Sequence, residues 1–82
     1  MQESSRMRRS LVDSATIRSV GYDPAAQTLE IEFAHGPVYQ YFSIPPSLHA
    51  ELLAADSIGA FVVARIRDAG FKHRRVEDVE SI

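Results

Sequence analysis

The run Thr-Leu-Glu-Ile-Glu-Phe at positions 28–33 constrains the fold of this chain more than any other feature. Apolar and acidic residues alternate in it, so Leu29, Ile31 and Phe33 share one face of an extended chain, and Glu30 and Glu32 share the other. This alternation is typical of an antiparallel strand with one buried and one solvated face. We therefore expect the two glutamates to form a solvated sheet face rather than a paired acid–base site.

Further strands are predicted on both sides of this run. Residues 15–22 are rich in β-branched and aromatic side chains, which favours a first strand. Asp23 and Pro24 then have the residue types of the first two positions of a β-turn. After the alternating run, Gly36 indicates a second turn, and residues 38–44 indicate the third strand.

The register of the third strand is open between two loops. A two-residue loop at His35 and Gly36 places Tyr39 and Tyr41 on the glutamate face. A three-residue loop that begins at Ala34 places both tyrosines with the apolar residues of the second strand, because one residue of slip exchanges the faces. The longer loop is favoured, since it gives the glycine a left-handed position.

Two short helices are predicted after the strands. Prolines at positions 45 and 46 end the third strand and are tolerated in the first turn of a helix. Apolar residues at helical spacing indicate this helix and a second one, which is capped by Ser57 or Asp56. Gly70 suits the left-handed position past the second helix, and Phe71 is expected to fold back onto Ile66.

These elements predict an α+β domain, in which a three-stranded antiparallel β-meander is followed by two short helices packed on one sheet face. The domain is expected over residues 14–73, between a flexible basic N-terminal tail at 1–13 and a charged C-terminal tail at 74–82. With 82 residues and no cysteine, the chain has no disulfide, so its stability depends on packing and on any self-association.

No motif marks an enzyme, a metal site or a cofactor site. The histidines at positions 35, 49 and 73 lack the spacing of a helical metal site and are expected to be ordinary surface residues. Neither a nucleophile elbow nor a glycine-rich phosphate loop occurs. No apolar run of about 18 residues occurs either. We therefore expect a cytoplasmic protein without catalytic residues, metal or cofactor.

Two features are candidates for recognition. Tyr39 and Tyr41 alternate along one strand and, on an exposed sheet face, would stack on unpaired bases; core packing with the hydroxyls at the rim is the alternative. A set of cationic side chains could contact phosphates, with a solvated charged face as the alternative. These side chains are Arg18, Arg65, Arg67, Lys72, Arg74 and Arg75. The net charge of −2 argues against a positive field over the whole molecule.

The order of residues along the chain resembles the KTSC domain family, named after the C-terminal domain of some lysyl-tRNA synthetases and also found as short bacterial proteins. The resemblance covers residues 14–72, and a Tyr-x-Tyr element is its hallmark. It implies RNA binding as the suggested function, with no catalytic residues. The matching residues are Ile17, Ser19-Val20-Gly21-Tyr22-Asp23, Leu29-Glu30-Ile31-Glu32-Phe33, Gly36, Tyr39-x-Tyr41, Pro45, Leu52, Ala55-x-Ser57-x-Gly59 and Ile66.

The sequence departs from the family pattern at two places. His35 occupies a hairpin position where Asn or Asp is common, and Val62 and Val63 make the second helix unusually apolar. The valine pair favours a buried or self-associating helix. Two functions remain open: a non-enzymatic module that binds RNA or single-stranded nucleic acid weakly, and a protein-interaction or homodimerisation module with no nucleic-acid role.

Overall fold

A computed structural model describes residues 8–76 of the chain. The predicted α+β class and the two helices are confirmed. The second helix comprises a short α-helix and a π-helical segment that continues it directly. The elements in chain order are strands β1 (Ser10–Leu11), β2 (Ile17–Asp23), β3 (Thr28–Phe33) and β4 (Val38–Tyr41), helices α1 (Pro46–Ala54) and α2 (Ile58–Phe61), the π-helical segment (Val62–Arg67) and strand β5 (His73–Val76).

The strands form one antiparallel sheet in the order β1-β2-β3-β4-β5. The prediction of three strands is wrong, because each edge of the meander carries a further strand. Strand β1 has two residues and β5 reads His-Arg-Arg-Val, so neither shows apolar alternation. These strands lie in or beside the segments expected to be tails. The division into a domain at 14–73 and two tails stays a prediction, and residues 1–7 and 77–82 lie outside the described part.

The hairpin between β3 and β4 has the three-residue loop that the sequence favoured. The N–H of Phe33 donates to the Pro37 carbonyl at 2.9 Å, and the N–H of Gly36 donates to the Phe33 carbonyl at 2.9 Å. Gly36 has a φ of +128°, which residues with a Cβ rarely adopt. Leu29 is consequently paired with Tyr41, and both tyrosines of β4 share the apolar face of β3.

The hydrophobic core joins this apolar sheet face to the two helices. A fully buried aliphatic side chain contributes about 1.5–3 kcal/mol, so the cluster supplies the main favourable term in folding. Val62 is fully buried and belongs to the core cluster, whereas Val63 is half-buried. The cluster consists of Ile17, Val20, Leu29, Ile31, Phe33, Tyr41, Ile44, Leu48, Leu52, Val62 and Ile66.

The ends of the second helix follow the sequence prediction. The Ser57 hydroxyl accepts a hydrogen bond from the Ala60 N–H at 3.2 Å, which confirms this residue as the N-cap. Past the π-helical segment, Gly70 has a φ of +93°, and Phe71 packs against the core. The left-handed glycine therefore ends the helix and returns the chain towards β5.

The opposite sheet face carries a buried polar network, so the expectation of solvated glutamates is wrong. Glu30 is fully buried, and its carboxylate pairs with the Arg9 guanidinium and accepts a hydrogen bond from the Gln40 amide at 2.9 Å. The Arg9 guanidinium also donates to the Ser19 hydroxyl at 3.0 Å, and this hydroxyl donates to Glu32 at 2.7 Å. The N-terminal segment brings this arginine to the sheet, and the alternation of β3 could not reveal that.

Candidate functional site

A half-open pocket of about 230 Å³ lies where β3, β4 and β5 meet the end of the π-helical segment. Rings supply most of its wall, and one guanidinium completes it. A concave site with several convergent polar groups is the usual form of a ligand site in proteins. The lining residues are Phe33, His35, Tyr39, Tyr41, Arg67 and His73.

The rings of the pocket meet at angles instead of lying in one plane. Tyr39 is central, with ring centroids 6.0 Å from Phe33 at an interplanar angle of 76°, and 5.9 Å from His73 at 71°. The Tyr41 ring lies 5.5 Å from His73, and the His35 ring lies 5.8 Å from Phe33. Edge-to-face and tilted contacts are favourable arrangements for such rings. The rings therefore form supported walls around a cavity rather than a flat stacking surface.

The two tyrosines of β4 have different environments. Tyr41 is only 2% exposed and belongs to the core, whereas Tyr39 is half-buried and packs at the edge of the core. Burial raises the pKa of Tyr41, the Arg67 guanidinium opposes this rise, and Tyr39 adds to it. Core packing thus describes Tyr41, and Tyr39 is the ring of the pair that a ligand can reach.

Arg67 is the predicted cation that lines the pocket. It ends the π-helical segment, whose wide turn is evident from the 2.9 Å hydrogen bond between the Asp68 N–H and the Val63 carbonyl, five residues back. The arginine side chain is 54% exposed and lies 3.3 Å from the Asp68 carboxylate. Exposed pairs of this kind contribute little to stability, so the guanidinium is available to an anionic ligand.

Strand β5 adds a second cation on the same sheet face. Arg75 lies directly opposite Tyr39, and side chains of paired residues project from the same face. Arg75 is exposed, as is Lys72, which precedes the strand and accepts a 2.9 Å hydrogen bond from the Phe42 N–H through its carbonyl. Arg67 and Arg75 are consequently the two arginines on the tyrosine side of the sheet at this edge.

The remaining predicted cations lie elsewhere. The Arg74 guanidinium donates to the Gln40 side chain at 3.2 Å, on the sheet face opposite the pocket. Arg65 pairs with Glu51 at 3.2 Å, and its guanidinium carbon lies 5.1 Å from the centroid of the Phe61 ring. Arg65 and Arg74 therefore do not join Arg67 and Arg75 beside the pocket.

Arg18 lies on β2, which is separated from β5 by three interstrand spacings, or about 14 Å. Its guanidinium pairs with Glu32 at 3.9 Å, and the Arg18 side chain is 64% exposed. The arginine is therefore remote from the pocket. A binding role for all six cations predicted from the sequence stays a prediction.

Three pocket residues, Phe33, His35 and His73, are not among the candidates predicted from the sequence. His73 reaches the pocket because β5 places it opposite Tyr41, and no sequence period announces that strand. His35 lies in the hairpin loop, two residues after Phe33. The favoured three-residue loop was the signal that could have identified Phe33, because this loop places the end of β3 on the same face as the tyrosines.

Other chemistry is not concentrated in the described residues. Between residues 8 and 76, no three histidine, cysteine or acidic side chains are grouped as metal ligands would be, and no helix is long and apolar enough to cross a bilayer. His49 lies outside the pocket, with its ring stacked on Tyr22 at a centroid distance of 4.4 Å. Burial lowers the pKa of this histidine.

Comparison with known proteins identifies the family. The KTSC domain model matches residues 13–71. The chain belongs to the KTSC domain family. An uncharacterized protein of Stutzerimonas stutzeri (strain A1501) is 37% identical over 71 residues, which make up 87% of this chain and 100% of that protein. The crystal structure of a KTSC domain protein from Yersinia pestis matches with a TM-score of 0.79 and 38% identity, over 87% of this chain and 99% of the other.

A similar segment also occurs within a much larger enzyme. Over 47 residues, or 57% of this chain, the sequence is 43% identical to a lysine–tRNA ligase of Nostoc punctiforme, and this segment is only 8% of the ligase. The family is a small-domain family, not a known enzyme family. The matched range ends at Phe71, so His73 and Arg75 of β5 lie beyond it.

Proposed function

We propose that this KTSC protein is a non-enzymatic module that binds RNA or single-stranded nucleic acid weakly through the pocket beside Tyr39. The observation that carries the proposal is a ring-lined pocket with Arg67 in its wall and Arg75 opposite the central tyrosine. Aromatic rings stack on bases of any sequence, and guanidinium groups pair with phosphates. The two kinds of contact that a single strand needs are thus present at one edge of the sheet.

The likeness to part of a lysine–tRNA ligase supports an RNA ligand, because that enzyme is named for a tRNA substrate. The overall charge of −2 offers no long-range attraction to nucleic acid, so affinity depends on short-range contacts at the pocket. If two arginines neutralise two phosphates of a single strand, the slope of log K against log salt is about −1.4. We therefore expect weak binding with a shallow salt dependence.

Fluorescence anisotropy with a labelled, unstructured RNA at several salt concentrations tests the proposal. The informative pair is Arg67→Gln and Arg18→Gln, which remove the same charge inside and outside the pocket. We expect Arg67→Gln to weaken binding and to make the salt slope smaller, whereas Arg18→Gln leaves both nearly unchanged. Absence of binding at low salt would refute the proposal, and equal effects of the two substitutions would show that the pocket is not the site.

Self-association is the alternative function, and the structure gives it less support than the sequence does. Of the valine pair that suggested it, Val62 is fully buried in the core and Val63 is half-buried. Among the described residues, the exposed large apolar side chains are Leu11 and Leu53, on β1 and α1. Isolated exposed leucines are common on monomeric proteins. Light scattering over a range of concentrations tests this alternative, and a mass that rises to twice that of the chain would support it.

A further inference from the structure

We propose that the pocket takes one unpaired base, with the sugar and phosphate remaining at its mouth beside Arg67 and Arg75. This inference rests on the proposed function and specifies the unit that is recognised. It also distinguishes this KTSC protein from sheet-based readers, which stack several successive bases on an open face.

The first argument is the size of the pocket. The pocket holds about 230 Å³. Ligand sites for drug-sized molecules run from about 300 to 1,000 Å³. A single base is smaller than such molecules, whereas a whole nucleotide adds a sugar and a phosphate to it. The volume is therefore of the size expected for one base.

The second argument is the arrangement of the sheet and the rings. A platform for successive bases needs neighbouring rings that are exposed on one open face. Here Tyr41 is 2% exposed and packed in the core, so the hallmark pair offers a single accessible tyrosine. The rings of Phe33 and His73 stand edge-on to Tyr39, at 76° and 71°. This geometry surrounds one planar ligand on several sides instead of supporting a row of them.

The third argument is the position of positive charge. The Arg67 side chain lines the pocket and remains 54% exposed, so its charge lies at the boundary with solvent. Arg75 is exposed and projects from the same face opposite Tyr39. The Asp68 carboxylate lies 3.3 Å from the Arg67 guanidinium. Among the residues that the structure describes, the two arginines favour a phosphate outside the cavity while the rings hold the base inside.

The test compares a short oligouridylate with an abasic strand of equal length, together with uridine monophosphate as a small probe. Base stacking predicts that the oligouridylate binds at least about tenfold more tightly than the abasic strand. Uridine monophosphate should compete with the oligouridylate and should shift the NMR signals of Tyr39 and His73. We expect Tyr39→Leu to abolish the preference for the strand with bases and to retain the weak binding of the abasic strand.

His73→Ala is the second variant, because this residue is exposed and its replacement leaves the core intact. It should reduce the preference for bases, and circular dichroism checks that both variants are folded. If the two strands bind equally with a normal salt dependence, the base pocket is wrong and the RNA-binding function survives. If uridine monophosphate binds at the pocket but no strand binds, the pocket assignment holds and the RNA-binding function fails.

Discussion

The buried ion pair between Arg9 and Glu30 makes the strongest stability prediction for this protein. The two partners are unequally buried: the arginine side chain is 20% exposed, and the glutamate side chain is 0% exposed. Removing the arginine with Arg9→Met leaves a carboxylate inside the protein without this cation. Loss of one partner from a buried pair typically costs about 3–5 kcal/mol. That is a large share of the roughly 5–15 kcal/mol by which a domain is stable.

The reverse substitution should be milder. Glu30→Gln keeps a side chain of the same shape and leaves an arginine that already reaches solvent, so the expected cost is about 1.5–3 kcal/mol, the value of a charge-assisted hydrogen bond. In the double variant the carboxylate is absent, so the loss of Arg9 no longer takes a cation away from a buried charge. Its loss of stability should therefore be smaller than the sum of the two single losses by about 2 kcal/mol.

Urea denaturation of the four proteins, followed by circular dichroism, gives the coupling energy of this pair. Strand β1 provides a second readout, since Leu11 is 78% exposed and the strand buries little apolar surface of its own. Without Arg9, the amide of Val12, which donates to the Arg18 carbonyl at 3.2 Å, should exchange with solvent much faster than the amides of β3. Additive single losses, or an Arg9→Met cost below about 1 kcal/mol, would refute the argument.

Three further predictions concern single positions. Burial lowers the pKa of His49, so the neutral ring contributes to the stability of the fold above about pH 6.5, and this contribution is lost as the pH falls towards the lower pKa of the folded state. His49→Phe keeps a ring against Tyr22 and should therefore flatten the decline in the free energy of unfolding between neutral and acidic pH, measured by urea titration. Ser57→Ala removes the N-cap and should cost about 1 kcal/mol in the same assay, whereas Ser57→Asp should restore it. Gly59→Ala places a Cβ 3.1 Å from the Cβ of Thr16, so it should lower the melting temperature in a thermal scan despite the better helix propensity of alanine; an unchanged or raised value would contradict the close contact.

The parts of the fold that the sequence predicts are those with local determinants. The alternation in β3 and the loop glycine Gly36 together determine which face the β4 tyrosines share. The cap at Ser57 and the left-handed Gly70 likewise depend on the chemistry of one or two residues. Each of these features is recognisable because its physical cause lies within a few residues along the chain.

The edge strands could not be predicted in this way. Strand β5 is polar and cationic, and it exists because the chain returns from the second helix to the free edge of β4. Its pairing is a tertiary event with no period in the sequence. The same event brings His73 and Arg75 to the pocket, so the candidate site was only half visible from the sequence. The burial of Glu30 has a similar origin, since Arg9 arrives with the equally unannounced N-terminal segment.

The Tyr-x-Tyr element does not by itself indicate a binding surface, because the two residues lie at different depths in the same sheet. Tyr41 pairs with Leu29 near the start of β3 and is covered by the core, so the packing favours a large ring at this position. Tyr39 pairs with Ile31, two residues nearer the hairpin, and is the more exposed of the two tyrosines that line the pocket. The core should consequently tolerate Tyr41→Phe, whereas Tyr39→Leu should affect ligand binding more than stability. The hallmark thus combines a core residue, Tyr41, with a candidate binding residue, Tyr39.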